Sequence, residues 1–363
     1  MNIQEVDFQT SIPECFRKQA AEYADLFIGR VILQHKGLYR ILTEQGECFA
    51  EVCGKFFSLD QDTSHFPVVG DYVLVDRKED TNGNAIIQHV LDRRSVLSRK
   101  MVGKDDLAQC IASNIDIVFL CMAMNEDFSV RRLERYIAIA WDSGATPVVV
   151  LTKKDLATDV ATQLEEVYTV AIGMDVVLTT NTNEDGHKEI EKYLCKGTTV
   201  AFVGSSGVGK STLINKLLGE AYLDTQGLRS GGQGKHTTTH RELVYLQNGS
   251  AVIDTPGMRE IGLQMTDVSR AFPDIEEYSL QCKFNDCTHT NEPGCAVRKA
   301  IEDGILSEER LNDYLKLQKE SKYSLLDAKQ IEKKKMKEMF SSFDGIKNAK
   351  KYLKTKDKRK FDK

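Results

Sequence analysis

The sequence predicts a multidomain chain of three folded parts: an N-terminal β-barrel, a central α/β domain on a parallel sheet, and a C-terminal, mainly helical part held by a metal. Three observations carry this. Short alternating strands with turn residues between them fill residues 26–100. From Asn114 onward, strand-length apolar runs alternate with helical stretches, the pattern of a parallel sheet covered on both faces. Three cysteines and a histidine fall close together between 282 and 295.

Composition narrows the class further. The chain has 363 residues, room for two or three domains at roughly 100–200 residues each. Hydrophobic residues make up 41%, too many for a disordered chain. No apolar run approaches the roughly 18 residues of a membrane span, and the N-terminus lacks a basic, apolar leader. A cytoplasmic protein with no membrane partner is expected. Nine scattered cysteines, an odd number, argue against a disulfide framework, so close-set ones read as metal ligands. The formal net charge is −5, but Lys333–Lys363 holds 13 Lys/Arg against 4 Asp/Glu, leaving −14 for the rest. An acidic body with a basic tail suggests a polyanionic partner.

Taken in order, residues 1–25 read as a polar, helical extension without a motif. The barrel strands are FIGRVILQ, GLYRILTE, ECFAEV, DYVLVDR and AIIQHVL, separated by turns such as Asn82-Gly83-Asn84. Five short strands in about 75 residues fit an OB-fold, with an SH3-like barrel as the alternative. Arg93–Lys100 carries four basic residues, either a solvated linker or a phosphate-contacting joint. The α/β domain is expected over 104–265, with strands IDIVFL, PVVVL, MDVVLT, TVAFVG and AVIDTPG, and with helix VRRLERYIAIAWDSG stopped at Gly144. A metal-bearing domain over 266–330 and a Lys-rich tail over 331–363 complete the chain. Nothing calls for an obligate oligomer, so a monomer is expected.

Gly204-Ser205-Ser206-Gly207-Val208-Gly209-Lys210-Ser211 matches G-x-x-x-x-G-K-S/T, after an apolar strand and before helix STLINKLLG. Its glycines let backbone amides converge on phosphate oxygens, and the helix adds its positive end. Lys210 is expected to reach the β- and γ-phosphates and Ser211 to hold Mg²⁺, with Thr212 beside it. Asp254-Thr255-Pro256-Gly257 follows a strand read as VYLQNGSAVI, putting Asp254 near the Mg²⁺ shell and the Gly257 amide near the γ-phosphate. Between the two lies the Gly-rich run 231–234, then Lys235-His236-Thr237-Thr238-Thr239. Such a loop is ordered by a γ-phosphate and Mg²⁺ through a Thr hydroxyl, Thr237 or Thr238, rather than by a core. Met258 stands where many GTPases carry a water-orienting Gln, which leaves His236 as the in-chain candidate for that task.

Thr152-Lys153-Lys154-Asp155 follows PVVVL and is a near-match to a guanine-reading N-K-x-D motif. The Asp155 carboxylate can accept from guanine N1–H and the 2-amino group, neither of which adenine offers, so a metabolic P-loop ATPase is the weaker reading. Lys153 can lay its stem over the base. Thr152 has no amide, which questions one tethering bond. Thr179-Thr180 is the expected second base-contacting loop. The base reader here precedes the phosphate loop, the reverse of ordinary GTPases, and a circular permutation explains it because domain termini often lie close together. Finally, Cys282-x₄-Cys287-x-His289-x₅-Cys295 offers three thiolates and an imidazole, the ligand set of a closed structural zinc site.

The succession of β-barrel, TKKD, GSSGVGKS, GQGKHTTT, DTPG and the Cys/His cluster resembles the RsgA (YjeQ/YloQ) family over roughly residues 26–330. These are bacterial, circularly permuted GTPases that assist late maturation of the small ribosomal subunit. The resemblance implies an OB-fold, a permuted GTPase domain and a zinc domain, with GTP/GDP, Mg²⁺ and one structural Zn²⁺. It also implies binding to the small subunit and its rRNA, not to DNA, and hydrolysis stimulated by the subunit. Thr152 and Gln233 depart from the family pattern. The rival reading is a nucleotide-gated RNA-binding module whose slow hydrolysis is incidental.

Overall fold

The computed structural model describes residues 8–35, 37–58, 65–100, 108–180, 182, 186–219, 242–254 and 268–324. His236, Thr237, Thr238 and Gly257, the loop 231–240 and the tail 331–363 lie outside them.

The barrel strands are β1 (Phe27–His35), β2 (Leu38–Thr43), β3 (Gly46–Val52), β4 (Tyr72–Val75) and β5 (Ala85–Val90). They pair in the order β1-β2-β3-β5-β4 and close by β4 on β1, all antiparallel except β3 with β5. This closed five-stranded Greek-key order is the OB arrangement. Period-2 burial fills the interior with Val31, Tyr39, Ile41, Cys48, Ala50, Val73, Val75 and Ile87.

Strand β4 is buried at every position, which alternation alone does not explain. Its outer face, Tyr72 and Leu74, is covered by the N-terminal helices α1 (Phe8–Ser11) and α2 (Glu14–Ala20). Phe16 is fully buried and stacks on Tyr72 with centroids 4.2 Å apart. The extension that reads as polar therefore contributes Phe8, Ile12 and Phe16 to the core. A short helix α3 (Lys55–Ser58) follows β3.

The antiparallel ribbon of β6 (Val96–Lys100) and β7 (Ala108–Ser113) leads out of the barrel. Two of the basic residues in Arg93–Lys100 pair within the protein, Arg93 largely buried and Arg94 still exposed to solvent. Arg93 clasps the fully buried Asp71 carboxylate at 2.7 and 2.8 Å, and Arg94 pairs with Asp116 at 3.0 Å. Gly70 beside Asp71 has φ +98°, and a Cβ there would lie 2.2 Å from the Ser113 carbonyl oxygen, so only glycine lets barrel and ribbon touch.

The α/β part contains β8 (Ile117–Ala123), α4 (Val130–Asp142), β9 (Thr146–Thr152), α5 (Val160–Val170), β10 (Val176–Leu178), α6 (Lys188–Glu191), β11 (Thr199–Val203), α7 (Lys210–Leu218), β12 (Glu242–Tyr245) and β13 (Ala251–Asp254). The segment read as one strand, VYLQNGSAVI, turns back at Leu246–Ser250 and supplies both β12 and β13, which are antiparallel. Strands β10, β9, β8, β11 and β13 are parallel in that order. Alternate residues face opposite layers: Val118, Leu120 and Met122 of β8 point to one core, Phe119, Cys121 and Ala123 to the other. Both faces are covered, which is why these strands read as unbroken apolar runs. Edge strand β12 also pairs with β1 at Glu242 and Leu33, so barrel and α/β domain share one eleven-stranded sheet.

The C-terminal part has α8 (Pro273–Ser279), α9 (Ala296–Glu302) and α10 (Glu308–Ser324). It docks on α4 through a common apolar core, which includes Leu133 and Ile137 of α4 with Phe272 and Leu311, and through charge. Arg310 is buried and donates to Glu134 at 2.5 Å, to Asp274 twice at 2.9 Å and to the Ala271 carbonyl at 3.2 Å. Burial pushes the Glu134 carboxyl above its ordinary pKa, and Arg310 opposes that shift. Arg131 pairs with Glu309 and Asp313, and Arg135 with Glu320. Among the described residues, no helix is long and apolar enough to cross a membrane.

Candidate functional site

The parallel sheet has a topological switch point between β8 and β11. The chain steps from β8 to β9 and β10 on one side, and from β11 to β13 and β12 on the other. Open α/β sheets bind ligands outside the carboxyl ends of their strands at such a point. The loops after β8, β9, β10 and β11 all lie at that edge.

Strand β11 runs straight into the phosphate loop. Gly204 packs so close to β8 that a Cβ would meet the Cys121 carbonyl oxygen at 2.4 Å. Gly209 takes a left-handed φ of +104° as the cap residue before α7, so the helix starts at Lys210 with its amides facing the loop. The Lys210 ammonium donates to the carbonyls of Gly204 at 2.6 Å and Ser205 at 2.7 Å, closing the loop on itself. Ser205, Ser211 and Thr212 are half-buried, while Ser206 and Gly207 are exposed at the rim; Val208 is buried beneath them. Burial pushes the Cys121 thiol under the loop up to about 12, against the pull of Lys210, so it stays neutral.

The base-reading segment sits against this loop. Thr152, at the end of β9, is buried, and its hydroxyl donates to the Val208 carbonyl at 2.6 Å. The tether that an amide would supply is thus made by a hydroxyl, and it joins the two motifs directly. Lys153 has φ +56°, which turns the chain into the short 3₁₀ segment Lys154–Leu156 and leaves the Asp155 side chain exposed at the edge of the sheet. Thr180 donates to the Asp155 carboxylate, and the Thr179 carbonyl accepts from the Lys154 amide at 3.2 Å. The segments 152–155, 179–180 and 204–212 therefore meet as one cluster. Asp254 ends β13 beside β11.

A third element reaches the loop without a motif to announce it. Arg132, in the first turn of α4, places Nη1 3.4 Å from the Ser205 hydroxyl and 3.4 Å from the Asp127 carbonyl. Two adjacent arginines opening a helix that has no acid in its first turn run against the helix dipole, and that was the available sequence signal.

In the C-terminal part, Cys282, Cys287, His289 and Cys295 bring their ligand atoms within 4.8 Å of one another. Cys282 Sγ lies 3.9 Å from Cys295 Sγ and 3.7 Å from His289 Nδ1, and Cys295 Sγ lies 3.5 Å from His289 Nδ1. A tetrahedral ion with bonds of roughly 2.3 Å to sulfur and 2.0–2.1 Å to nitrogen needs edges of about 3.5–3.8 Å, so the cage fits zinc. Burial holds the His289 imidazole below its ordinary pKa, neutral as a ligand must be. Burial opposes the Cys282 thiolate, but hydrogen bonds from the Val297 and Ala296 amides and from the Cys287 and Cys295 thiols together pull that thiol down. Burial and the neighbouring thiols push Cys287 up to about 11.

A base reader and a phosphate loop that are neighbours in the sheet but reversed in the chain define a circularly permuted P-loop GTPase. Comparison with known proteins gives the family. The RsgA GTPase profile matches residues 90–264. A small ribosomal subunit biogenesis GTPase, RsgA 2, of Lactiplantibacillus plantarum is 48% identical over 324 residues, 89% of this chain and 91% of its own length. The Listeria monocytogenes RsgA 2 is 42% identical over 85% of this chain and 87% of its own. Among solved structures, YjeQ from Thermotoga maritima superposes with a TM-score of 0.61 at 27% identity, covering 82% of this chain and 98% of that one. YloQ, described as a circularly permuted GTPase, gives 0.59 at 26% identity over 83% and 96%. The chain belongs to the RsgA GTPase family.

Proposed function

We propose that this GTPase acts in late maturation of the small ribosomal subunit, binding the subunit and its rRNA with GTP loaded and leaving after hydrolysis. The observation that carries the nucleotide site is the Thr152 to Val208 hydrogen bond, which seats the base reader on the phosphate loop. Guanine pairs with Asp155, flanked by Thr152, Lys153, Lys154, Thr179 and Thr180, and the phosphates lie along Gly204–Thr212. Ser211 and Asp254 hold Mg²⁺. Thr237, Thr238 and Gly257 close on the γ-phosphate, and His236 orients the water once the subunit orders its loop. Cys282, Cys287, His289 and Cys295 hold one structural Zn²⁺.

In this reading the working parts are the barrel (26–100), the GTPase domain (104–265) and the zinc domain (266–330), with the extension 1–25 and tail 331–363 as flanks. The protein works as a cytoplasmic monomer. Relatives named as small-subunit biogenesis factors support the assignment. The test is GTP turnover with and without purified small subunits, repeated with Ser211→Ala. The expected result is at least about a tenfold rise with the subunit, abolished by Ser211→Ala, as for other trans-activated sites. Equal rates with and without the subunit contradict it. RNA binding indifferent to nucleotide state then favours the RNA-binding module.

A further inference from the structure

We propose that Arg132 is a polyphosphate contact of this GTPase, reaching from α4 over Ser205 to the terminal phosphate and so favouring GTP over GDP. The proposal rests on the GTP-binding reading of the phosphate loop and adds a residue that the loop pattern does not contain.

Three arginines leave the first turns of α4 in different directions. Arg131 pairs with Glu309 and Asp313, and Arg135 with Glu320, all on α10. Arg132 turns the other way and is half-buried. Its guanidinium has the Asp127 carbonyl and the Ser205 hydroxyl as neighbours, both at 3.4 Å, and among the described residues no carboxylate pairs with it.

That placement is electrostatically unfavourable in the protein alone. Arg132 is the third residue of α4, whose first turn holds no acid, so a cation sits at the positive end of a helix dipole. A second cation, Lys210 Nζ, lies on the same residue, 2.7 Å from the Ser205 carbonyl oxygen. The N-terminus of α7 adds a second positive helix end at the same edge. Arg132, which no carboxylate among the described residues pairs with, together with the N-termini of α4 and α7 makes a hollow that an anion of high charge relieves. The planar fork of arginine suits phosphate oxygens better than any neutral partner.

The choice of phosphate follows from position. Ser205 is the first residue after Gly204, at the mouth of the loop, whereas Lys210 and the start of α7 form its floor. A side chain arriving over the mouth from α4 meets the phosphate farthest from the base. A diphosphate leaves that place vacant, so Arg132 discriminates by what it loses.

The test is calorimetric binding of GDP and of the non-hydrolysable β,γ-imido GTP analogue, with Mg²⁺, to the full chain and to Arg132→Ala, Arg132→Gln and Arg132→Lys. Arg132→Ala and Arg132→Gln are expected to weaken the triphosphate roughly ten- to a hundredfold, the range of one charge-assisted hydrogen bond, and to leave GDP within about twofold. Arg132→Lys falls between them and the parent. Equal weakening for both nucleotides, or none for either, overturns the proposal. Arg132→Gln keeps a donor for Asp127 and Ser205, so the comparison survives if Arg132→Ala folds poorly. A parent chain that binds neither nucleotide sinks the GTPase reading itself, an outcome distinct from a parent that binds and a variant that does not discriminate.

Discussion

The GTPase domain is joined to its neighbours in two different ways. On the barrel side the joint includes backbone: β1 pairs with β12 at Leu33 and Glu242, which links the two sheets into one. Arg30 of β1, fully buried, reinforces it by donating to Thr199 at 2.6 Å and Tyr245 at 3.2 Å, with its guanidinium 4.8 Å from the Tyr72 ring centre. On the C-terminal side the joint is side chains: a shared apolar core and ion pairs from α4 to α10, with Arg310 of α10 also bonded to Asp274 of α8. The barrel joint thus includes main-chain pairing, whereas the C-terminal joint is made by side chains. The C-terminal joint is also built on α4, the helix whose Arg132 touches the phosphate loop.

Four perturbations break or sharpen that contrast. The largest is removal of the metal. A structural zinc supplies about 10–16 kcal/mol of apparent binding energy to small loop-rich domains. Cys295→Ser or strong chelation is therefore expected to unfold the region around 282–302 while the barrel persists, read as lost hydrogen-exchange protection confined to the C-terminal part. Protection lost equally in barrel and C-terminal part would erase the distinction.

Next is Arg310→Met, which leaves the buried Glu134 and the half-buried Asp274 without their partner and should cost about 3–5 kcal/mol. Denaturant unfolding measures it, and adding Glu134→Gln should recover part of the loss because one orphaned charge is gone. A cost below about 1 kcal/mol would mean that the C-terminal joint is held by something other than this network.

Arg30→Met is smaller, about 1–2 kcal/mol. It removes two hydrogen bonds but also a buried cation that no carboxylate among the described residues bonds, and the β1–β12 pairing remains. Separation of barrel and GTPase domain into two thermal transitions in this variant would show that the joint depends on Arg30 rather than on the backbone. The smallest effect is Arg131→Ala, whose exposed pair with Glu309 contributes about 0.2–1 kcal/mol and weakens with salt.

How much of this was legible in the sequence follows the range of the interaction. Period-2 alternation in Gly46–Val52 and the apolar runs at 117–123 and 146–152 state their own burial, so barrel and parallel sheet could be read directly. The phosphate loop, the Thr152–Asp155 segment and the Cys/His cluster are local patterns and were equally plain. What escaped depends on partners far along the chain. Tyr72–Val75 is buried on both faces because Phe16, more than fifty residues earlier, covers it. Arg93 reads as a solvated or phosphate-contacting charge until Asp71 is folded against it. The pairing of Arg310 with Glu134 spans 176 residues, and that of Arg132 with Ser205 spans 73. The Thr152 tether is the instructive case: residue type argued against it, because the usual donor is an amide, but burial at the end of β9 brings a hydroxyl to within 2.6 Å of Val208.

The central claim is that two motifs in inverted chain order build one guanine pocket. A crystal structure of the full chain with the β,γ-imido GTP analogue and Mg²⁺ tests it most directly. The account predicts a single nucleotide with its base on Asp155 and its phosphates along Gly204–Ser211. A phosphate chain seated in the loop with the base turned away from Asp155 would contradict it.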